Sequence, residues 1–347
     1  MKNLYKMISP FSPDQSGAVS VLYELGGVVA VLDAGGCAGN ICGFDEPRWM
    51  TKKSAVFSAG LRDMDAIMGR DELLAEKLKA ACEKIDPDFC AVVGTPAPAI
   101  IGTDFDSLRQ MIEEMTGKKT VCVETTGTKY FDSGEEKAYL DLFKTFAEKK
   151  FDAVEGKTGV VGVTPLEFSC LDADKKIRNV KGFENAVCFG YNSGLDEIVK
   201  ASECEKLVAA SPSAVKACEY LSAKFDIPYE KDRIYIPEKI KNKCENIKDK
   251  KVLVITGQFI FEKLKDILNK NNNEVTFASF FMTKGKTDYD IIKLSDEDSL
   301  TELISSSEFD EVIGDAAFEK IYRKFALNKT SEFTDFPSFS VSGRLTD

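Results

Sequence analysis

Cys37 and Cys42 are the side chains in this sequence best placed to do chemistry. They stand in Asp33-Ala34-Gly35-Gly36-Cys37-Ala38-Gly39-Asn40-Ile41-Cys42, directly after the apolar run Val28-Val29-Ala30-Val31-Leu32. Thiolates ligate iron and other soft metals and carry redox chemistry. Gly35, Gly36 and Gly39 would let another group approach the loop closely. The same pattern also fits two thiols packed in a core as small hydrophobes. The spacing is too loose for a zinc knuckle, and a [4Fe–4S] cluster takes four thiolates. A symmetric dimer pooling Cys37 and Cys42 from each subunit would supply that set. Asp33 is either an oxygen ligand and charge-tuning group or the cap of the turn.

The chain has no histidine, which removes imidazole bases and every histidine-ligated metal or haem site. Thiolates, carboxylates, lysine or a cofactor must carry any reaction. The net charge of -11, without a basic tract, argues against nucleic acid and anionic membranes as partners. No apolar run reaches the roughly 20 residues of a membrane span, and the start does not lead into a signal-peptide core. The expected compartment is therefore the cytoplasm. Ten cysteines there read as buried thiols or ligands rather than disulfides, and hint at a reducing, anaerobic host. Neither a dinucleotide fingerprint nor a P-loop occurs, so any ATP hydrolysis belongs to another polypeptide.

The loop needs elements to hold it. A continuous β-branched run such as residues 28–32 reads as a strand buried inside a parallel sheet. Residues 16–25 read as a helix closed by Gly26-Gly27, after an extended arm. Asp71 to Ile85 is a helix with Leu74, Leu78, Ala81 and Ile85 on one face. The acidic residues Asp63, Asp65, Asp71 and Glu72 around Met68-Gly69-Arg70 read as helix-start charges. Strands over residues 89–93 and 120–123 follow, and Gly94-Thr95-Pro96-Ala97-Pro98 forms a loop beyond the first of them. Gly156-Lys157-Thr158-Gly159 reads as a turn, and the charged residues 238–250 as a linker. Strand and helix alternate throughout, so the expected fold is α/β, with three Rossmann-like, doubly wound and mostly parallel domains. Their expected extents are 1–183, a small middle unit 184–245, and 246–347.

Several ordered segments resemble component 1 of nitrogenase and its relatives, which include cofactor-assembly proteins, protochlorophyllide reductases and a nickel-tetrapyrrole reductive cyclase. Ser16-Gly17-Ala18 opens the first helix as in that family. Asp33-Ala34-Gly35-Gly36-Cys37 stands where the family has His-Gly-Pro-x-Gly-Cys. Residues 57–74 resemble an acidic stretch running into "DVVFGG", and Ile100-Ile101-Gly102-Thr103-Asp104 resembles "IIGDD". Lys224-Phe225-Asp226-Ile227-Pro228-Tyr229 resembles "KFGIPY", and Phe336-Pro337 matches a pair in the last domain.

The resemblance implies two-fold related subunits, either a homodimer or a pair with a paralogous chain. It also implies an iron–sulfur cluster at their interface, fed by a separate ATP-dependent iron-protein reductase. Cys37 would be a cluster ligand, with Gly35, Gly36 and Gly39 packed closely around it. Thr95, Pro96 and Thr103 would line the facing loop. The family's other two cluster cysteines fall near Pro10 or Phe11 and at Pro96, and Cys42 is extra. Without histidine the nitrogenase cofactor's histidine ligand is missing, which argues against dinitrogen reduction. The expected function is low-potential electron transfer to a small-molecule or tetrapyrrole-like substrate. The alternative is a binding or assembly protein that keeps the fold, has lost the cluster, and holds a small molecule or metallocofactor in a cleft between domains.

Overall fold

The computed structural model describes residues 5–62, 64, 69 and 71–346. Among these residues thirteen strands form three sheets, and every ladder is parallel. The first holds β1 (Val28–Val31), β2 (Ala55–Ser58), β3 (Cys90–Val93) and β4 (Thr120–Val123) in the order β2-β1-β3-β4. The second holds β5 (Thr158–Val161), β6 (Ala186–Cys188), β7 (Lys206–Ala209) and β8 (Tyr229–Lys231) in the order β6-β5-β7-β8. The third holds β9 (Lys251–Ile255), β10 (Glu274–Ser279), β11 (Ile292–Lys293), β12 (Glu311–Gly314) and β13 (Glu332–Asp335) in the order β11-β10-β9-β12-β13. This is the expected α/β fold of three doubly wound units. In each, the winding reverses beside the first strand, and the crevice beyond the carboxyl ends there is where such sheets bind ligands.

β1 pairs on both edges and is buried on both faces, Val29 and Val31 against the helices Asp14–Leu22 and Phe131–Phe146 and Val28 and Ala30 against Leu74, Leu78 and Leu108, which explains its unbroken run of valine and alanine. The first two sheets share a core. Val31 and Val93 on one side and Val161 and Ala209 on the other belong to one apolar cluster with the helices Asp14–Leu22 and Phe131–Phe146.

Three expectations need correction. Thr158 and Gly159 are not a turn: they begin β5, buried between β6 and β7, and the turn lies over Glu155 and Gly156, closed by Lys157 N–H on Val154 O at 3.0 Å. Sheet membership changes between β4 and β5. Residues 238–250 are not a linker. Glu238–Asn246 is a helix whose Ile240 and Cys244 are buried against the third sheet, and its high charge sits on the solvent face. Finally, the first helix begins at Asp14 and ends at Leu22 rather than running from 16 to 25, and the arm before it is docked on the third unit. Ile8 and Phe11 are buried with Phe280 and Phe318 of the third unit, and Glu297 accepts the N–H groups of Lys6, Met7 and Ile8. The helix Asp71–Ile85 forms as expected with Leu74 and Leu78 inside, although Ile85 is exposed at its end. Asp71 and Glu72 occupy its first turn, while Asp63, Asp65, Met68 and Arg70 lie outside the described residues.

Candidate functional site

The Cys37 loop and the Thr95-Pro96 loop follow β1 and β3, neighbours at the point where the first sheet's winding reverses. Asp33 lies two residues beyond β1 and anchors the loop that follows. One carboxylate oxygen accepts the Ala38 N–H at 2.7 Å and the other accepts the Ser58 hydroxyl at 2.6 Å. Both oxygens are thus engaged in holding the turn. Gly35 takes a φ of 114°, a left-handed conformation that favours glycine, and the short helix Gly36–Asn40 starts there. It runs into a wide turn over Ile41–Asp45, so Cys37 and Cys42 lie on consecutive turns, both half-buried against the shared core. A Cβ on Gly36 or Gly39 would meet nothing within 4 Å. Those two positions face open space.

Both thiols are pushed above the usual cysteine range, first by burial and then by a carboxylate: Asp33 beside Cys37, Glu46 beside Cys42. Each is therefore protonated at neutral pH, and a metal must displace the proton. Thr95 is buried and donates its hydroxyl to Leu32 O at 2.8 Å, locking the two loops together. Pro96 starts the helix Pro96–Ile101 and is half-buried against Gly127. Thr103 closes that helix through its N–H to Pro98 O at 3.1 Å. Exposed apolar side chains flank the thiols along the same edge: Phe44 (75% exposed) from one loop, and Ile100 (83%) and Ile101 from the other.

A second place, which the sequence analysis did not find, lies where the second and third sheets reverse their winding. Phe131, Asp132, Glu167, Arg233, Thr256, Gly257 and Phe281 are among the residues around a cavity of about 40 Å³. That is room for a few water-sized groups and too little for a cluster or a tetrapyrrole. Arg233 is buried, lies 3.5 Å over the Phe168 ring, and donates to the Glu167 carboxylate at 3.2 Å and carbonyl at 2.8 Å. Its Nε has no partner. Burial raises the Glu167 carboxyl to about 7 despite the pull of Arg233, and burial also pushes up Asp132 and Glu135. The signal available in sequence was weak: charged residues inside otherwise apolar segments, drawn together from three distant stretches.

Residues 16–249 match the profile of the nitrogenase component 1 type oxidoreductases. The chain belongs to that family. It is also 25% identical over 220 residues to the nitrogenase iron-molybdenum cofactor biosynthesis protein NifE of Clostridium pasteurianum. That match covers 62% of this chain and 48% of the relative, so the chain spans about half the length of the curated protein it matches. Among solved structures, nitrogenase Cp1 at pH 6.5 superposes with a TM-score of 0.71 at 12% identity, covering 97% of this chain and 87% of that one. The same protein at pH 5 gives 0.69 at 12% identity, covering 98% and 85%. At that identity the likeness shows the fold.

Set against the family's cluster pattern, this component 1-type chain offers few donors. Phe11 is buried among Tyr130, Phe280 and Phe318, and Pro96 carries no donor atom. Among the described residues, no three thiol or carboxylate side chains converge as a metal-holding group. Cys37 and Cys42 of a single copy therefore do not complete the four ligands of a [4Fe–4S] cluster. Among those residues, too, no helix is long and apolar enough to cross a membrane.

Proposed function

We propose that the chain works as a paired subunit in which Cys37 and Cys42 of two copies, or of a copy and a paralogue, jointly hold an iron–sulfur cluster. The observation that carries this reading is the carboxyl edge of β1 and β3, where two half-buried thiols sit beside exposed Phe44, Ile100 and Ile101. Large apolar side chains left on a surface mark a contact with another protein. Open space at Gly36 and Gly39 would accommodate that partner's approach. Such a cluster supplies single low-potential electrons. Asp33 and Thr95 position the two loops, and the apolar rim excludes water from the junction. A cytoplasmic setting and an ATP-dependent reductase as electron source belong to the same reading.

Anaerobic reconstitution with iron and sulfide tests it. The expected result is a brown protein with stoichiometric iron and acid-labile sulfide per pair, an EPR signal on reduction, and loss of both in Cys37→Ala. A wild-type protein that stays colourless would remove the reading.

A second reading is favoured by one observation, the unpartnered Arg233 Nε beside the cavity between the second and third sheets. A buried donor without an acceptor calls for a bound acceptor. Together with the likeness to a cofactor biosynthesis protein, this supports a binding or assembly role in which the units separate to admit a ligand. Native mass spectrometry of gently purified protein distinguishes the two, since an organic or metallocofactor ligand without acid-labile sulfide would favour the second.

A further inference from the structure

The first sheet carries a second pair of thiols at the edge opposite Cys37. Cys82 lies near the end of the helix Asp71–Ile85, Cys90 opens β3, and their sulfur atoms are 3.4 Å apart. The connection between them is fixed. Asp86 adopts a left-handed φ of 47° and donates its N–H to Cys82 O at 2.9 Å. Asp88 N–H bonds Gly26 O at 3.0 Å, and Cys90 N–H bonds Lys119 O at 3.0 Å. The two sulfurs are therefore held side by side by the fold rather than meeting through loose segments. A disulfide requires them to close by roughly 1.4 Å, within the reach of side-chain rotation and flexing at a helix end.

The pair is asymmetric. Cys82 is half-buried and open to small solutes, whereas Cys90 is fully buried. We propose that Cys82 and Cys90 form a reversible oxidation site, in which Cys82 takes the first attack from a hydroperoxide or low-molecular-weight disulfide and Cys90 resolves it.

With a hydroperoxide, the Cys82 thiolate attacks the terminal peroxide oxygen. The O–O bond breaks, and Cys82 becomes a sulfenic acid as an alcohol, or water, leaves. The Cys90 sulfur then attacks the Cys82 sulfur, expelling water and forming the S–S bond. The two thiols lose two electrons and two protons in all, and the peroxide takes them up. With a small disulfide the intermediate is a mixed disulfide on Cys82, and two small thiols leave in sequence. The order is fixed by accessibility, since Cys82 is half-buried and Cys90 is fully buried, where burial also pushes its thiol up. The site is independent of the Cys37 reading, because β3 separates the two and neither shares a residue with the other.

The full chain, fully reduced and then treated with oxidised glutathione or with hydrogen peroxide, tests the proposal by intact mass and peptide mapping after alkylation. The expected product has lost two hydrogen atoms, maps to a Cys82–Cys90 cross-link, and is restored by dithiothreitol. Cys90→Ala should instead trap a stable glutathione adduct on Cys82, and Cys82→Ser should leave Cys90 reduced. The wild-type map needs no variant to fold. A persistent glutathione adduct on wild-type Cys82, or oxidation that maps to Cys37 and Cys42 alone, would overturn the proposal.

Discussion

The Ser16 hydroxyl donates to Asp45 Oδ2 at 2.7 Å and so ties the first helix to the end of the cysteine loop. The same carboxylate accepts from Ser12 at 3.0 Å and from Asn40 at 2.8 Å. Burial raises the Asp45 carboxyl and these donors pull it back, so the residue joins arm, helix and loop through one acceptor. Asp45→Ala leaves three donors short of a partner, at a cost of about 1–3 kcal/mol. Urea titration should show that loss. Alkylation of Cys42, three residues away, should accelerate several-fold; an unchanged rate would mean that the loop does not depend on this anchor.

The helices Asp14–Leu22 and Phe131–Phe146 approach one another through glycine. A Cβ on Gly17 would lie 1.9 Å from Phe131 O, and one on Gly134 would lie 1.7 Å from Asp14 O. Backbone cannot yield by that much without separating the helices. Gly17→Ala and Gly134→Ala should each destabilise by about 3 kcal/mol, the upper end of the range of overpacking in a tight core. Thermal unfolding checks this. A compensating pair of substitutions should not rescue it, because each methyl meets backbone rather than the other methyl.

This contact gives a physical reason for Ser16-Gly17-Ala18 as a recognisable segment: Ser16 holds Asp45, and Gly17 admits Phe131. The buried β1 run and the loop it delivers were legible in the same way, because burial on both faces demands unbroken apolar residues. β5 was not. Its Thr158 and Gly159 follow Gly156-Lys157 and break the apolar run, while Gly159 is small because a Cβ there would lie 2.6 Å from the Phe189 ring. The helix Glu238–Asn246 hid behind its charge, since its buried side is only Ile240 and Cys244. The cavity was illegible for a different reason. Asp132, Glu167 and Arg233 come together only after two sheets pack, and no local spacing encodes that.

Glu167 sets a pH dependence. Its carboxyl is raised from 4.5 to about 7 chiefly by burial, with Arg233 opposing. The protonated form is therefore the one the fold prefers. The stability it contributes is complete below the unfolded value and is lost as pH rises through about 7. Glu167→Gln mimics the protonated state. Between pH 4.5 and about 7 the wild type should lose stability relative to this variant, by roughly 3 kcal/mol. Paired denaturant titrations across that range measure the difference. A gap that widens in favour of the wild type would show that the Arg233 ion pair outweighs burial.

The exposed edge beside Cys37 makes the last prediction. Phe44 and Ile100 come from loops after adjacent strands, and both point largely into solvent in the single chain. Their removal therefore costs the isolated fold little, since surface substitutions away from buried groups stay within about 0.5 kcal/mol. At a contact between subunits the same side chains would be desolvated, and a charge in their place would be buried unpaired, which costs several-fold more. Phe44→Asp and Ile100→Asp should thus leave thermal unfolding of the chain nearly unchanged at low concentration while shifting sedimentation from the paired to the single species. Iron uptake should fall in parallel if the cluster needs thiols from both subunits. A wild-type chain that sediments as a single species at every concentration, or a Phe44→Asp variant that stays paired, would place the contact elsewhere and leave Cys37 and Cys42 without their second pair of thiols.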